Sequence, residues 1–135
     1  DVSDVLISNI SCNGTGAGVK IKSERGRGGT IQNVVYENML LQHVSEAIII
    51  QQHYGGDAHG LAPTFRNITL RNITAVDGTV GHVGQVDCLV TGKHCLDIHL
   101  EDVDLSRAAN QTWTPCAGFN SGSQTNVLPE IPCLG

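Results

Sequence analysis

The stretch "NITLRNITA", residues 67–75, carries two asparagines five positions apart, Asn67 and Asn72, each followed directly by isoleucine. Between them Ile68 and Leu70 alternate with Thr69 and Arg71, the period-two pattern of a half-buried strand. Three further segments align with it without gaps: "DVLISNISC" at 4–12, "NVVYENMLL" at 33–41 and "DIHLEDVDL" at 97–105. Each opens on Asn or Asp and has a second one five residues on, at Asn9, Asn38 and Asp102. These second positions lie 29, 34 and 30 residues apart, a period that signals stacked repeats.

A second strand follows in each turn: "GVKIKS" at 18–23, "AIIIQQ" at 47–52 and, less clearly, "QVDCLV" at 85–90. Val19 and Ile48 stand ten residues after Asn9 and Asn38, whereas Val86 stands fourteen after Asn72. The stretch "DGTVGHVGQ" is therefore expected to carry an insertion. No comparable helical periodicity appears. The pattern predicts an all-β fold, a right-handed parallel β-helix in which one coil is one rung of a single-stranded solenoid. Coils are expected over 1–106, with a disulfide-containing tail over 107–135 packing on the last of them. Stacked Asn side chains can hydrogen-bond from rung to rung, so the recurring Asn/Asp reads as structural. Because the chain opens on Asp1 directly in a strand, it is expected to be truncated on its N-terminal side.

The composition agrees. Aromatics make up only 4% and there are 16 glycines among 135 residues, which suits short strands and tight turns. No apolar run is long enough for a membrane-spanning helix. Five cysteines occur, four of them late in the chain. Cys88 and Cys95 flank a glycine-containing turn, and Cys116 and Cys133 flank a turn-rich tail, so each pair can close a small loop as a disulfide. The alternative of metal-binding thiols finds no matching zinc spacing. Cys12 is left over, either as a buried thiol or with a partner in sequence not present. Five Asn-x-Ser/Thr triplets begin at Asn9, Asn13, Asn67, Asn72 and Asn110. Asn9 and Asn72 occupy repeat positions expected to point inward, which leaves Asn13 and Asn110, in turns, as the candidate glycosylation sites.

The formal net charge is -5, yet four of the eight basic residues, Lys20, Lys22, Arg25 and Arg27, sit in "AGVKIKSERGRGG" at 17–29. In a strand Lys20 and Lys22 share one face and Val19 and Ile21 the other. The apolar pair belongs inside, so both ammonium groups face solvent. Two like charges side by side are unfavourable unless an anion lies near. One reading is a solvated basic strand balanced by neighbours such as Glu24; the other is a docking face for a polyanion. No phosphate-binding loop is present. The acidic balance and few aromatics disfavour nucleic acid. A carboxylated polysaccharide fits better. Tyr54, just past the next second strand, could pack on a sugar face or anchor its loop. His43, His53 and His59 show no metal-ligand spacing.

These residues resemble a known family. "GVKIKS" is similar to the Gly-Val-Arg-Ile-Lys strand of polygalacturonases, glycoside hydrolase family 28. "IIIQQHY" at 48–54 resembles the family segment that ends in a substrate-binding tyrosine. "PTFRNITLRNIT" at 63–74 is similar to strands common in the family, and "CLDIHLEDVDL" at 95–105, with "PC" and "IPC" after it, to its C-terminal paired cysteines. The resemblance implies a secreted, extracellular or cell-wall hydrolase, monomeric when full-length. It would cleave α-1,4-galacturonosyl bonds of pectin or polygalacturonate with inversion, using paired carboxylates and neither cofactor nor metal. The family's Asn-Thr-Asp, Asp-Asp and Gly-His-Gly motifs precede the lysine strand and are absent here. The catalytic residues are therefore expected upstream of Asp1, and this chain alone is expected to be inactive. What carries over is a clamp for the substrate carboxylate, with Lys20 in place of the family's arginine, Lys22 in place of its lysine, and Tyr54. Lysine at 20 cannot make arginine's two-pronged contact. The alternatives are a non-catalytic polysaccharide-binding β-helix and a hydrolase of another pectic backbone such as rhamnogalacturonan. Partners are expected to be acidic polysaccharides, with no nucleic acid and no membrane.

Overall fold

A computed structural model of the chain describes residues 2–22, 29–52, 63–88 and 94–134. Nine strands and no helix occur among the described residues: β1 (Val2–Asn13), β2 (Ala17–Lys22), β3 (Thr30–Gln42), β4 (Val44–Gln51), β5 (Thr64–Ala75), β6 (Val80–Asp87), β7 (Cys95–Asp104), β8 (Cys116–Ala117) and β9 (Gly122–Leu128). They form two sheets, one ordered β1-β3-β5-β7-β9 and the other β2-β4-β6-β8, each built from alternate strands. Every pairing is parallel, with Val5 on Val34, Val34 on Ile68 and Ile68 on Ile98. This is the expected parallel β-helix, with about three turns.

The four aligned segments are β1, β3, β5 and β7, and their Asn and Asp residues are corners. Asp4, Asn9, Asn33, Asn38, Asn67, Asn72, Asp97 and Asp102 all have φ between +51° and +59°. A left-handed backbone costs an ordinary L-residue about 1–2 kcal/mol, and Asn and Asp tolerate it best because their side chains bond locally. Each long strand is thereby bent twice and wraps the core. The amides also stack. Asn33 Nδ2 donates to Asp4 Oδ1 at 3.0 Å, and Asn67 Nδ2 donates to Asn33 Oδ1 at 2.8 Å. At the second corner Asn38 donates to Asn9 at 3.1 Å and Asn72 to Asn38 at 2.8 Å. Where the fourth coil has aspartates, which only accept when ionised, the donors come from the coil after it. Ser121 Oγ donates to Asp97 and Asn126 Nδ2 to Asp102. The structural reading of the repeat holds, with one correction: Asn9 and Asn72 do not point inward but are exposed, because the left-handed corner turns the side chain outward.

Between the sheets like stacks on like. Ile21, Ile50 and Val86 form one column, and Ile68 and Ile98 part of another. Phe65, Ile48, Ile68, Leu70 and Leu100 are fully buried. Truncating one such side chain to alanine costs about 2–5 kcal/mol.

The insertion in the third turn is smaller and earlier than the spacing suggests. Val80 pairs with Val44, so the extra residues lie in the turn at 77–79, and "VGHVGQVD" is strand throughout. The partner of Val19 and Ile48 is Gly84, not Val86. A Cβ on Gly84 would stand 1.8 Å from the Ile48 carbonyl oxygen, and φ there is +133°. No aliphatic residue could mark that position.

The far end is closed by residues after β7. Leu105, Ile131 and Leu134 are buried, and the buried Trp113 donates through Nε1 to Pro129 O at 3.1 Å. Gln124, inward-facing below Leu100, donates to the carbonyls of Ile131 and Leu134 and accepts from Ile131 N. The Cys116–Cys133 disulfide ties β8 to this cap, and Cys88–Cys95 closes a shorter loop; Cys12 is a free thiol.

Candidate functional site

The lysine pair stands on β2. Val19 and Ile21 are buried, and the alternation puts Lys20, exposed, and Lys22, half-buried, on the opposite outer face. Residues 20–22 also border a hollow of about 190 Å³ at the first coil, lined besides by Val5, Val34 and Tyr36. Burial holds the Tyr36 phenol above its usual pKa, so it is neutral. A larger hollow, about 420 Å³, lies on the other sheet along the second asparagine corner, between Asn9, Asn38, Asn72 and the half-exposed Leu40. It is remote from the lysines in the sheet order and is lined by the groups of the structural ladder.

Parallel register continues the lysine face down the stack. Lys20 is followed by Ile49 and Gln85, and Lys22 by Gln51 and Asp87. Three residues back along the strand from Lys20, Ala17 is followed by Glu46 and His82. These polar side chains are linked. Gln51 Nε2 donates to Gln85 Oε1 at 2.8 Å, and Gln85 Nε2 donates to Glu46 Oε2 at 3.1 Å. His82 Nδ1 lies 3.5 Å from the same Glu46 oxygen, and its Nε2 is 2.6 Å from the carbonyl of Thr112. Because a carbonyl only accepts, Nε2 carries a proton. The result is an organised strip of amide, carboxylate and imidazole groups beside the lysine coil.

Gln52, the residue after β4, is fully buried. Its Nε2 donates to His94 O at 2.9 Å and lies 3.4 Å from Pro63 O, while its backbone N donates to Asp87 O. Through its side chain and its backbone N, this one residue joins the chain at 52, 63, 87 and 94, next to the Cys88–Cys95 disulfide. A buried amide that lost these partners would cost about 1–3 kcal/mol.

Lys20 and Lys22 are thus side by side on one face, as the strand pattern requires. Tyr54, Arg25 and Arg27, and the histidines at 53 and 59, lie outside the described residues. Asn13 and Asn110 are both exposed, and Asn110 Oδ1 accepts from Thr112 N at 2.9 Å. Sequence reasoning missed Glu46, Gln52, His82 and Gln85. The signal for three of them is register: with the third-turn insertion placed at 77–79, they fall on the strands stacked after β2.

Comparison with known proteins is consistent across the chain. A probable polygalacturonase of Arabidopsis thaliana is 27% identical over 139 residues, covering 99% of this chain and 31% of that protein. A polygalacturonase of Prunus persica is 28% identical over 98% of this chain and 35% of its own length. An exopolygalacturonase of Cochliobolus carbonum is 30% identical over 96% of this chain and 34% of its own. The chain therefore spans about a third of the length of these relatives. No solved structure matches it. Residues 1–125 match the profile described as Glycosyl hydrolases family 28, and the chain belongs to that family.

Proposed function

We propose that this chain is the substrate-gripping part of a secreted polygalacturonase that hydrolyses α-1,4-galacturonosyl bonds of pectin with inversion. The single observation that carries the reading is the pair of outward ammonium groups, Lys20 and Lys22, on one β-helix rung of a family 28 chain. An ammonium group is a strongly hydrated point charge. Two of them on a rigid strand, backed by the buried Val19 and Ile21, form a preset cradle for a carboxylate. Tyr54 is the third member of the proposed clamp. A clamp of this kind fixes the sugar next to the scissile bond, so its binding energy goes into positioning.

The acid and base of an inverting hydrolysis stand about 6.5–9.5 Å apart, which leaves room for the attacking water. In this proposal they are contributed by other parts of the full-length protein. The disulfides Cys88–Cys95 and Cys116–Cys133 support an oxidising, extracellular setting.

A reducing-end assay on polygalacturonate tests the reading. The full-length protein is expected to release uronic acid ends and the 135-residue chain none. A full-length protein that binds polygalacturonate without cleaving it would instead support the non-catalytic binding solenoid. A preference for a backbone with alternating rhamnose would reassign the substrate.

A further inference from the structure

Lys22 and Gln51 are register partners on neighbouring rungs. Successive rungs of a parallel sheet lie about 4.8 Å apart. The proposed clamp spans the same two rungs, with Lys20 and Lys22 on β2 and Tyr54 three residues beyond Gln51 in the chain. A pyranose ring with its carboxyl group is wider than one rung. A uronate gripped from both sides of this clamp therefore lies beside Gln51, which is half-buried and on the outer face of β4.

What Gln51 presents to that sugar is set by its neighbours. A carboxylate offers only acceptors, so Gln85 faces Glu46 with its Nε2, at 3.1 Å. Gln85 Oε1 is thereby turned away from Glu46, and it accepts from Gln51 Nε2 at 2.8 Å. Gln51 Oε1 is left over: among the described residues no donor reaches it. The two amides form a polar chain with one direction, anchored at Glu46 on the third-rung side and ending on a carbonyl oxygen beside the lysine rung.

We infer that Gln51 is a further substrate-binding residue, whose Oε1 accepts from a hydroxyl of the sugar gripped by the lysines. Glu46 and Gln85 are positioning residues that hold the Gln51 amide in this orientation, Glu46 acting only through Gln85. The inference rests on the pectic reading above and adds a requirement to it: the gripped unit carries a free hydroxyl near its carboxylate.

Calorimetry of the full-length protein with trigalacturonate tests it, with melting curves as the control for folding. Gln51→Ala is expected to weaken binding about fivefold, the worth of one neutral hydrogen bond. Glu46→Gln is nearly isosteric and lets Gln85 turn either end of its amide toward position 46, so the Gln51 amide no longer has one orientation. With two orientations about equally populated, binding weakens about twofold. The sign is diagnostic, because loss of a negative charge by itself strengthens the binding of an anion. In the Gln51→Ala background, Glu46→Gln is expected to weaken binding no further. Gln51→Ala that binds like wild type overturns the inference and leaves the pectic reading standing. Glu46→Gln that binds as tightly as wild type or tighter, or that weakens binding equally in both backgrounds, overturns the positioning role. Wild-type protein that does not bind trigalacturonate overturns both the inference and the pectic reading.

Discussion

Asn38 donates its side-chain amide to Asn9, 29 positions earlier, at 3.1 Å, and both residues sit at corners with φ near +57°. The two facts belong together. A left-handed corner is affordable for asparagine, and once the corners stack, the amides meet at hydrogen-bond distance. Asn72 extends the chain at 2.8 Å, so Asn38 accepts from one neighbour and donates to the other.

Asn38 therefore separates two contributions. Asn38→Gly keeps the backbone conformation and loses both side-chain bonds, at about 1 kcal/mol. Asn38→Ala loses the bonds and also strains the corner, at about 2–3 kcal/mol in total. Urea denaturation should rank wild type above Asn38→Gly above Asn38→Ala. An alanine variant as stable as the glycine variant would remove the conformational half of the account.

The same ladder sorts the sequons. Asn67 and Asn72 already donate Nδ2 to Asn33 and Asn38. A glycan on either nitrogen would displace a rung-to-rung bond. When expressed through a eukaryotic secretory pathway, the protein is expected to carry sugar on Asn13 and Asn110 and not on Asn67 or Asn72, as read by mass spectrometry of glycopeptides. Full occupancy at Asn72 would contradict this.

The disulfides differ in what they tie. Cys116 and Cys133 are 17 residues apart and join β8 to the cap, whereas Cys88 and Cys95 are separated by 7. By loop length, replacing the first pair with serine costs about 3 kcal/mol and the second about 2. Denaturant midpoints of the two double-serine variants measure the order.

Asp104 gives a pH signature. Its carboxyl accepts from the Ser106 hydroxyl at 2.5 Å and the Ser106 backbone N at 3.0 Å. The hydroxyl bond, then the backbone bond, then the Arg107 charge hold its pKa below the usual value. A depressed carboxyl stabilises the fold above its unfolded-state pKa of about 3.9 and stops doing so as pH falls through the lower folded value. The group is largely solvated, so the effect is small. Melting midpoints between pH 5 and pH 2 should fall less steeply in Asp104→Asn than in the wild type, with Ser106→Ala between them.

Much of the fold is legible because a solenoid repeats its constraints. Period-two alternation marks β1, β3, β5 and β7, and the Asn or Asp every five residues marks their corners, since few other residues accept that backbone. The third coil is harder to read. Gly84 stands where the pattern calls for an aliphatic, because the Ile48 carbonyl leaves no room for a side chain. That hid the register of β6 and with it the positions of His82 and Gln85. Inward or outward placement of Asn9 and Asn72 was also misjudged, since strand alternation does not apply at a left-handed corner. The lysine pair was legible because two charges flanked by buried Val19 and Ile21 can face only one way. Glu46 and Gln52 have no motif of their own, and only stacking reveals them.

The central claim is that Lys20 and Lys22 grip a sugar carboxylate. The most direct measurement is the dissociation constant of the full-length protein for a trigalacturonate, by calorimetry, with single alanine substitutions at Lys20, Lys22 and Lys93. Loss of a charge-assisted contact of about 1.5–3 kcal/mol predicts at least tenfold weaker binding for Lys20→Ala and Lys22→Ala. Lys93→Ala is expected to change it less than twofold. Equal, small effects at all three positions would contradict the account.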